Sequence, residues 1–182
     1  MRPRVRAMFR PAPRRLTDGM TQTGSRTAAL ATATITTGLL AGSFYVFACA
    51  VMPGLARSED EVYVEVMRNI NEVIQNPVFL LSFLGAPVLT GWAAWQLRGA
   101  PGRRWVWAAL AANVLALVVT VVVNIPLNDG LAEAGDAEVL REEFEGAWAG
   151  WNVVRGVLTT AALGCLAWTS RHLTEGSGNH RN

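Results

Sequence analysis

Lysine is missing from this chain, and all sixteen basic residues are arginine. So uniform a choice reads as a coding bias rather than a phosphate-binding design. Charge of either sign is scarce: 16% of residues are charged, where a soluble domain carries about 25%. Histidine occurs only at His172 and His180, both in the C-terminal tail. There is no CxxC, no HExxH and no histidine ladder inside an apolar block, so the usual ligands of haem or a mononuclear metal are lacking. A dinucleotide glycine fingerprint and a P-loop are lacking too. Ser43 and the threonines of the apolar blocks have no histidine to activate them, which argues against ordinary serine hydrolysis. The expectation is a protein without a cofactor; an enzyme of this kind needs a substrate that carries its own reactivity. The two cysteines, Cys49 and Cys165, sit in apolar blocks at different expected depths, so no disulfide is expected.

What the chain has in quantity is apolar residues, 51% of the total, with a mean hydropathy of +0.25. They gather in four blocks, about 28–52, 79–97, 105–125 and 151–169. Each is long enough to cross roughly 30 Å of hydrocarbon. A soluble bundle would need polar faces on these helices, and the blocks have almost none. The predicted fold is all-α: an antiparallel bundle of four transmembrane helices over residues 28–170. A basic leader, 1–27, is expected to be disordered, with Met20 as an alternative start. A polar tail, 171–182, closes the chain. The Arg14-Arg15 pair lacks the flanks of a twin-arginine signal, and the first block is long for a cleaved signal peptide. The leader's arginines are read as topology information rather than a nucleic-acid site.

Between the blocks, the turn near Arg98–Arg104 is basic, and the loops after the first and third spans are acidic. Arginine bias then places both termini in the cytoplasm and both longer loops outside the cell membrane. After the first span, residues 60–74 carry an apolar stripe, Val62, Val66, Ile70, Val73 and Ile74, of helical period. This amphipathic helix is expected to lie on the membrane surface or cap the bundle. Pro53 and Pro126 are expected to end the first and third spans, since proline lacks the donor that the next turn needs. A bend is expected near Pro87 in the second span. Gly38 and Gly42 form a small-xxx-small pair suited to close helix approach. Within the third span, Asn113 is expected to hydrogen-bond to another helix. Gly135-Asp136 reads as a turn and cap opening one long fourth helix, which protrudes before it crosses.

The candidate site residues are polar and collect near the outer ends of the third and fourth spans. Trp148, Trp151, Asn152 and Arg155 fall on one helical face by spacing. Asn124 stands at the end of the third span. An arginine about one turn inside the membrane needs a partner. Asparagine oxygens, a loop acid (Glu72 or Glu145), an anionic or enol-bearing ligand, or snorkelling to lipid headgroups would each serve.

Several stretches together resemble the DUF1772 membrane proteins, grouped with the anthrone oxygenases. They are Gly38-Leu-Leu-Ala-Gly42 with Tyr45 and Val51-Met52-Pro53, then Met67, Asn69 and Asn71 before Asn76-Pro77. The most specific pairing is Asn124-Ile-Pro-Leu-Asn128 with Trp148, Trp151, Asn152 and Arg155. The resemblance covers roughly residues 30–170. It implies a four-span protein and, from the fungal members, a small oxygenase that converts an anthrone to an anthraquinone without a classical cofactor. Carried onto this chain, Arg155, Asn124 and Asn152 would be catalytic. Asn128, Trp148, Trp151, Tyr45 and Asn71 would bind substrate. Glu72 and Tyr63 are the available bases. The implied partners are membrane lipid and a small hydrophobic or aromatic molecule, with a homo-oligomer compatible. Two other readings stay open: a non-enzymatic protein that binds a lipid, quinone or partner subunit, and a small-molecule transporter.

Overall fold

The computed structural model describes residues 14–178, with side chains over 24–172. Every secondary-structure element among the described residues is a helix. Helix α1 (Arg14–Val46) runs into a π-helical segment (Phe47–Val51) and the short α2 (Met52–Leu55). Then come α3 (Asp60–Val73), α4 (Pro77–Gln96) and α5 (Arg103–Val119). A second π-helical segment (Thr120–Asn124) leads into α6 (Ile125–Ala132), and α7 (Ala137–Gly178) closes the order. Four helical stretches have the length and composition to cross a membrane: Gly24–Leu55, Pro77–Gln96, Arg103–Ala132 and Ala137–His172. Helix α1 begins within the stretch read as leader, and α7 reaches into the stretch read as tail. Residues 1–13 and 179–182, with His180, lie outside the described residues.

Neither Pro53 nor Pro126 ends its helix, and both corrections share one cause. Each proline is the second residue after a π-helical segment. The Met52 N–H bonds to the carbonyl of Phe47, and that of Ile125 to the carbonyl of Thr120. These bonds reach back five residues instead of four. The wider turn relaxes the crowding between a proline ring and the carbonyl four residues before it, and the helix continues. Pro87 is likewise inside α4, which is unbroken from Pro77 to Gln96.

The four long helices pack in a ring: α1 touches α4 and α7, and α5 touches the same two. One end of the ring is closed by small residues. Ala29, Ala33, Ala93, Ala94, Ala109 and Ala162 are buried there beside Leu30, Leu97, Val106 and Leu166. As expected, Asn113 bridges helices: its Nδ2 donates to Thr37 Oγ1 and Thr90 Oγ1, both at 3.1 Å. The expected glycine crossing is loose. A Cβ on Gly42 would meet nothing within 4 Å, and one on Gly38 would meet Leu163 at 3.7 Å. Gly102, at φ +83°, takes the left-handed turn between α4 and α5 that a side chain would strain.

The other end carries a helical cap. The buried face of α3 is Tyr63, Val64 and Met67, with Ile70 alongside, while Val62 and Val73 are exposed. The expected valine stripe is therefore displaced: α3 packs with Tyr63 and Met67 inward, against α6 and α7. Asn76 joins the cap to α4. Its Oδ1 accepts from the backbone N–H groups of Val78 and Phe79, and its Nδ2 donates to the carbonyl of Val73. Proline at the first position of α4 needs no such partner. Asp136 caps α7 in the same manner, accepting from the N–H of Glu138 at 3.0 Å. Helix α7 then runs 42 residues without a break, or about 63 Å.

Candidate functional site

Where the ring meets the cap, the structure encloses a cavity of about 300 Å³. That lies at the small end of the usual range for ligand sites. Its position follows from the π-helical segments. They place Phe47 of the first span, and Thr120 of the third with Ile125, Asn128 and Asp129 just after it, toward a common space that Phe44 of α1 also lines. Helix α7 supplies Trp148, Asn152 and Arg155, one face at offsets of four and three. Asn71 and Gln75 close the cap side, and Phe79, Leu80 and Phe83 of α4 form the remaining wall.

Arg155 is the centre of this site, and only 5% exposed. Its Nη1 donates to Thr120 Oγ1 and its Nη2 to Asn152 Oδ1, both at 3.2 Å. The Thr120 hydroxyl in turn donates to the carbonyl of Ala116 at 2.9 Å, which leaves its lone pairs toward the guanidinium. Asn152 is held by its Nδ2, which donates to the carbonyl of Phe44 at 3.0 Å. The guanidinium carbon lies 4.5 Å from the Phe44 ring centre and 5.3 Å from that of Trp148. Such faces attract a cation, but neither they nor two neutral oxygens cancel its charge. Among the described residues no carboxylate pairs with Arg155, and its Nε is buried without a partner. The arrangement is a pre-oriented cation beside aromatic plates, suited to an anion with a flat body.

Trp148 is fixed as firmly. Its Nε1 donates to Asn128 Oδ1 at 2.8 Å, and its ring packs against Phe47 at 5.6 Å and Phe144 at 5.8 Å. Asn124 is next to this assembly in sequence but does not line the cavity. It is 1% exposed, and neither its Oδ1 nor its Nδ2 has a partner.

Of the residues singled out from sequence, Arg155, Asn152, Asn128, Trp148 and Asn71 come together around the cavity. Trp151 is 40% exposed, because it stands about 100° around α7 from Asn152. Tyr45 is 66% exposed. It faces outward beside a shallow groove with Ala48, Val153 and Gly156, since its neighbour Phe44 takes the inward position. Glu145 does not reach Arg155 and pairs with Arg141 at 2.8 Å. Neither Glu72 nor Tyr63 lines the cavity. Tyr63 is buried against Phe144 and under Arg141. Burial, and then the charge of Glu145, hold its phenol well above the usual range, with Arg141 opposing. Among the described residues, no three His, Cys, Asp or Glu side chains come together as a metal set.

Sequence reasoning passes over Phe44, Phe47, Phe79, Phe83 and Asp129. The phenylalanines look like any apolar residue of a span. Asp129 is hidden among the acids of its loop, though it directly follows Asn128. Thr120 is visible in the sequence as a residue one turn before Asn124.

No curated protein and no solved structure matches the chain. Residues 73–165, from the end of α3 through most of α7, match the family described as anthrone oxygenase. This stretch holds Asn128, Trp148, Asn152 and Arg155, although α1 contributes Phe44 and the π-helical segment after it Phe47 to the same cavity. The match takes in just over half of the 182 residues, and the chain belongs to the anthrone oxygenase family.

Proposed function

We propose that this protein is a cofactor-independent membrane oxygenase acting on small aromatic substrates of the anthrone or quinol type. The observation that carries this reading is Arg155: a buried cation without a carboxylate, facing a cavity walled by Phe44, Phe47 and Trp148. A flat ring system fits between such plates, and its enolate oxygen fits the guanidinium. Arg155 and Asn152 then stabilise negative charge where it develops, in a setting shielded from water. An anthrone enolate is electron-rich enough to reduce dioxygen. The methylene becomes a carbonyl with one oxygen atom, and the second oxygen leaves as water with the two methylene hydrogens. Asn128, bonded to Trp148, positions the stacking ring.

The same reading makes the ring of four helices an antiparallel bundle, with both termini in the cytoplasm and the cap outside. Support comes from Ser25, near the start of the first span, which accepts from Gln96 at the end of the second at 2.8 Å. The arginine-rich turn near Gly102 and the acidic cap agree with that orientation.

Oxygen uptake by the purified protein, with an anthrone as substrate, tests the reading. Arg155→Gln should lower kcat/KM by about 10²–10³, the loss typical of a removed oxyanion donor. A folded Arg155→Gln protein that oxidises substrate at the unaltered rate would overturn it. Wild-type protein that binds anthrones without consuming oxygen would instead make the cavity a binding site only.

A further inference from the structure

Oxidation of an anthrone begins with loss of a proton from carbon, and Arg155, a cation, cannot take it. The lining of the cavity narrows the search for the group that does. Ser43, Thr120, Asn71, Gln75, Asn128 and Asn152 are neutral. Among the described residues, Asp129 is the one carboxylate that lines the cavity. It follows Asn128, whose side chain anchors Trp148, and Trp148 lies over Arg155. Asp129 is exposed on α6, and its carboxylate makes no ion pair or side-chain hydrogen bond among the described residues. Glu72, although next to Asn71 in sequence, does not line the cavity. Glu145 and Asp60 are bound to Arg141. The backbone carbonyls of Leu131 and Glu133 hold Arg68, so that cation does not occupy the Asp129 carboxylate.

We propose that Asp129 is the catalytic base of this site, an assignment that rests on the oxygenase reading. The carboxylate takes the proton from the acidic carbon of the keto substrate. The C–H bond breaks, an O–H bond forms on Asp129, and the electron pair moves into the enolate, whose oxygen lies on Arg155. Dioxygen is the oxidant of the later step. An exposed position lets Asp129 pass its proton to water, so the base is restored each turnover. Cation and carboxylate thus divide the work at two parts of one cavity, a polar rim and a buried centre.

The proton step can be read without the oxidation. Wild-type protein is incubated anaerobically in D₂O with an anthrone, and deuterium entry at the methylene carbon is followed by mass spectrometry. Asp129→Asn should slow exchange at least ~100-fold, within the range of general-base effects, while substrate binding and the melting temperature hold. Asp129→Glu should recover part of the rate. An anthrone bearing electron-withdrawing groups, already ionised at neutral pH, should be oxidised at equal rates by wild type and Asp129→Asn. A merely structural residue would not show that selective rescue. Exchange at the wild-type rate in Asp129→Asn, with Arg155→Gln still defective, overturns the assignment and leaves the oxygenase reading intact. Loss of both substrates together with binding overturns it as well, in favour of a positional role. If wild type neither exchanges nor takes up oxygen, the oxygenase reading falls and the base with it.

Discussion

Among the described residues, four side chains, Tyr63, Asn113, Asn124 and Arg155, have a buried polar atom without a partner, and the last two stand in or next to the elements that wall the cavity. Arg155 has a spare Nε, and Asn124 has a whole unpartnered amide. A buried amide without partners costs about 1–3 kcal/mol. Asn124→Leu, close in shape, is therefore expected to raise the melting temperature in detergent. A fall in melting temperature would mean that the amide stabilises the fold. The polar set as a whole is legible in the sequence, because arginine and asparagine stand out in apolar blocks. The aromatic plates are not, since a phenylalanine that walls a cavity and one that faces lipid are spelled the same way. Placement within the set is also hidden. Trp151 and Asn152 are adjacent letters, yet one is exposed and the other is at 0%.

At the scale of elements, the two π-helical segments decide which residues meet. Apolar periodicity locates the four spans but misplaces the effect of Pro53 and Pro126. A stop rule assumes that the helix ahead of the proline keeps its four-residue ladder. Here the ladder lengthens to five just before each proline, and the helix goes on for another turn or two. The apolar pattern does not announce that switch, and both π-helical segments pack against α7. Inserting one alanine between Pro126 and Leu127, past the wide turn, should rotate everything after it by about 100° relative to Thr120. Asn128 would leave Trp148 and Asp129 would leave the cavity. The span should still insert, and oxidation should be lost. Expression in membranes with unchanged activity would show that the register after the segment does not set the site.

The whole molecule is tight at one end and open at the other, and that asymmetry gives the site its route. Helices α4 and α5 touch around Thr90–Asn113, and Leu110 lies 3.8 Å from a Cβ built on Gly91. Beyond that point, the π-helical segment at Thr120–Asn124 and α6 pack on α7 and α3 rather than on α4. The cavity occupies the gap. Its polar rim, Asn71, Gln75 and Asp129, lies under the cap, and its apolar side runs from Phe79, Leu80 and Phe83 across to Ile125. Leu80 and Ile125 are 39% and 43% exposed, on a face that four apolar spans would place against lipid. A sparingly soluble aromatic concentrates in the bilayer, so it is expected to enter sideways between α4 and α6. The cap is fastened independently: Arg141 reaches the carbonyls of Ala56 and Ser58 and the carboxylate of Asp60, and Arg68 those of Leu131 and Glu133. With the cap held at both sides, narrowing the lateral gap should act on entry alone. The double variant Leu80→Trp, Ile125→Trp is expected to raise KM about tenfold in proteoliposomes with kcat unchanged, since Arg155 and Asp129 are untouched. Equal kinetics in wild type and variant would argue for entry through the polar rim, and Arg141→Ala, which loosens the cap, would then be the change that alters KM.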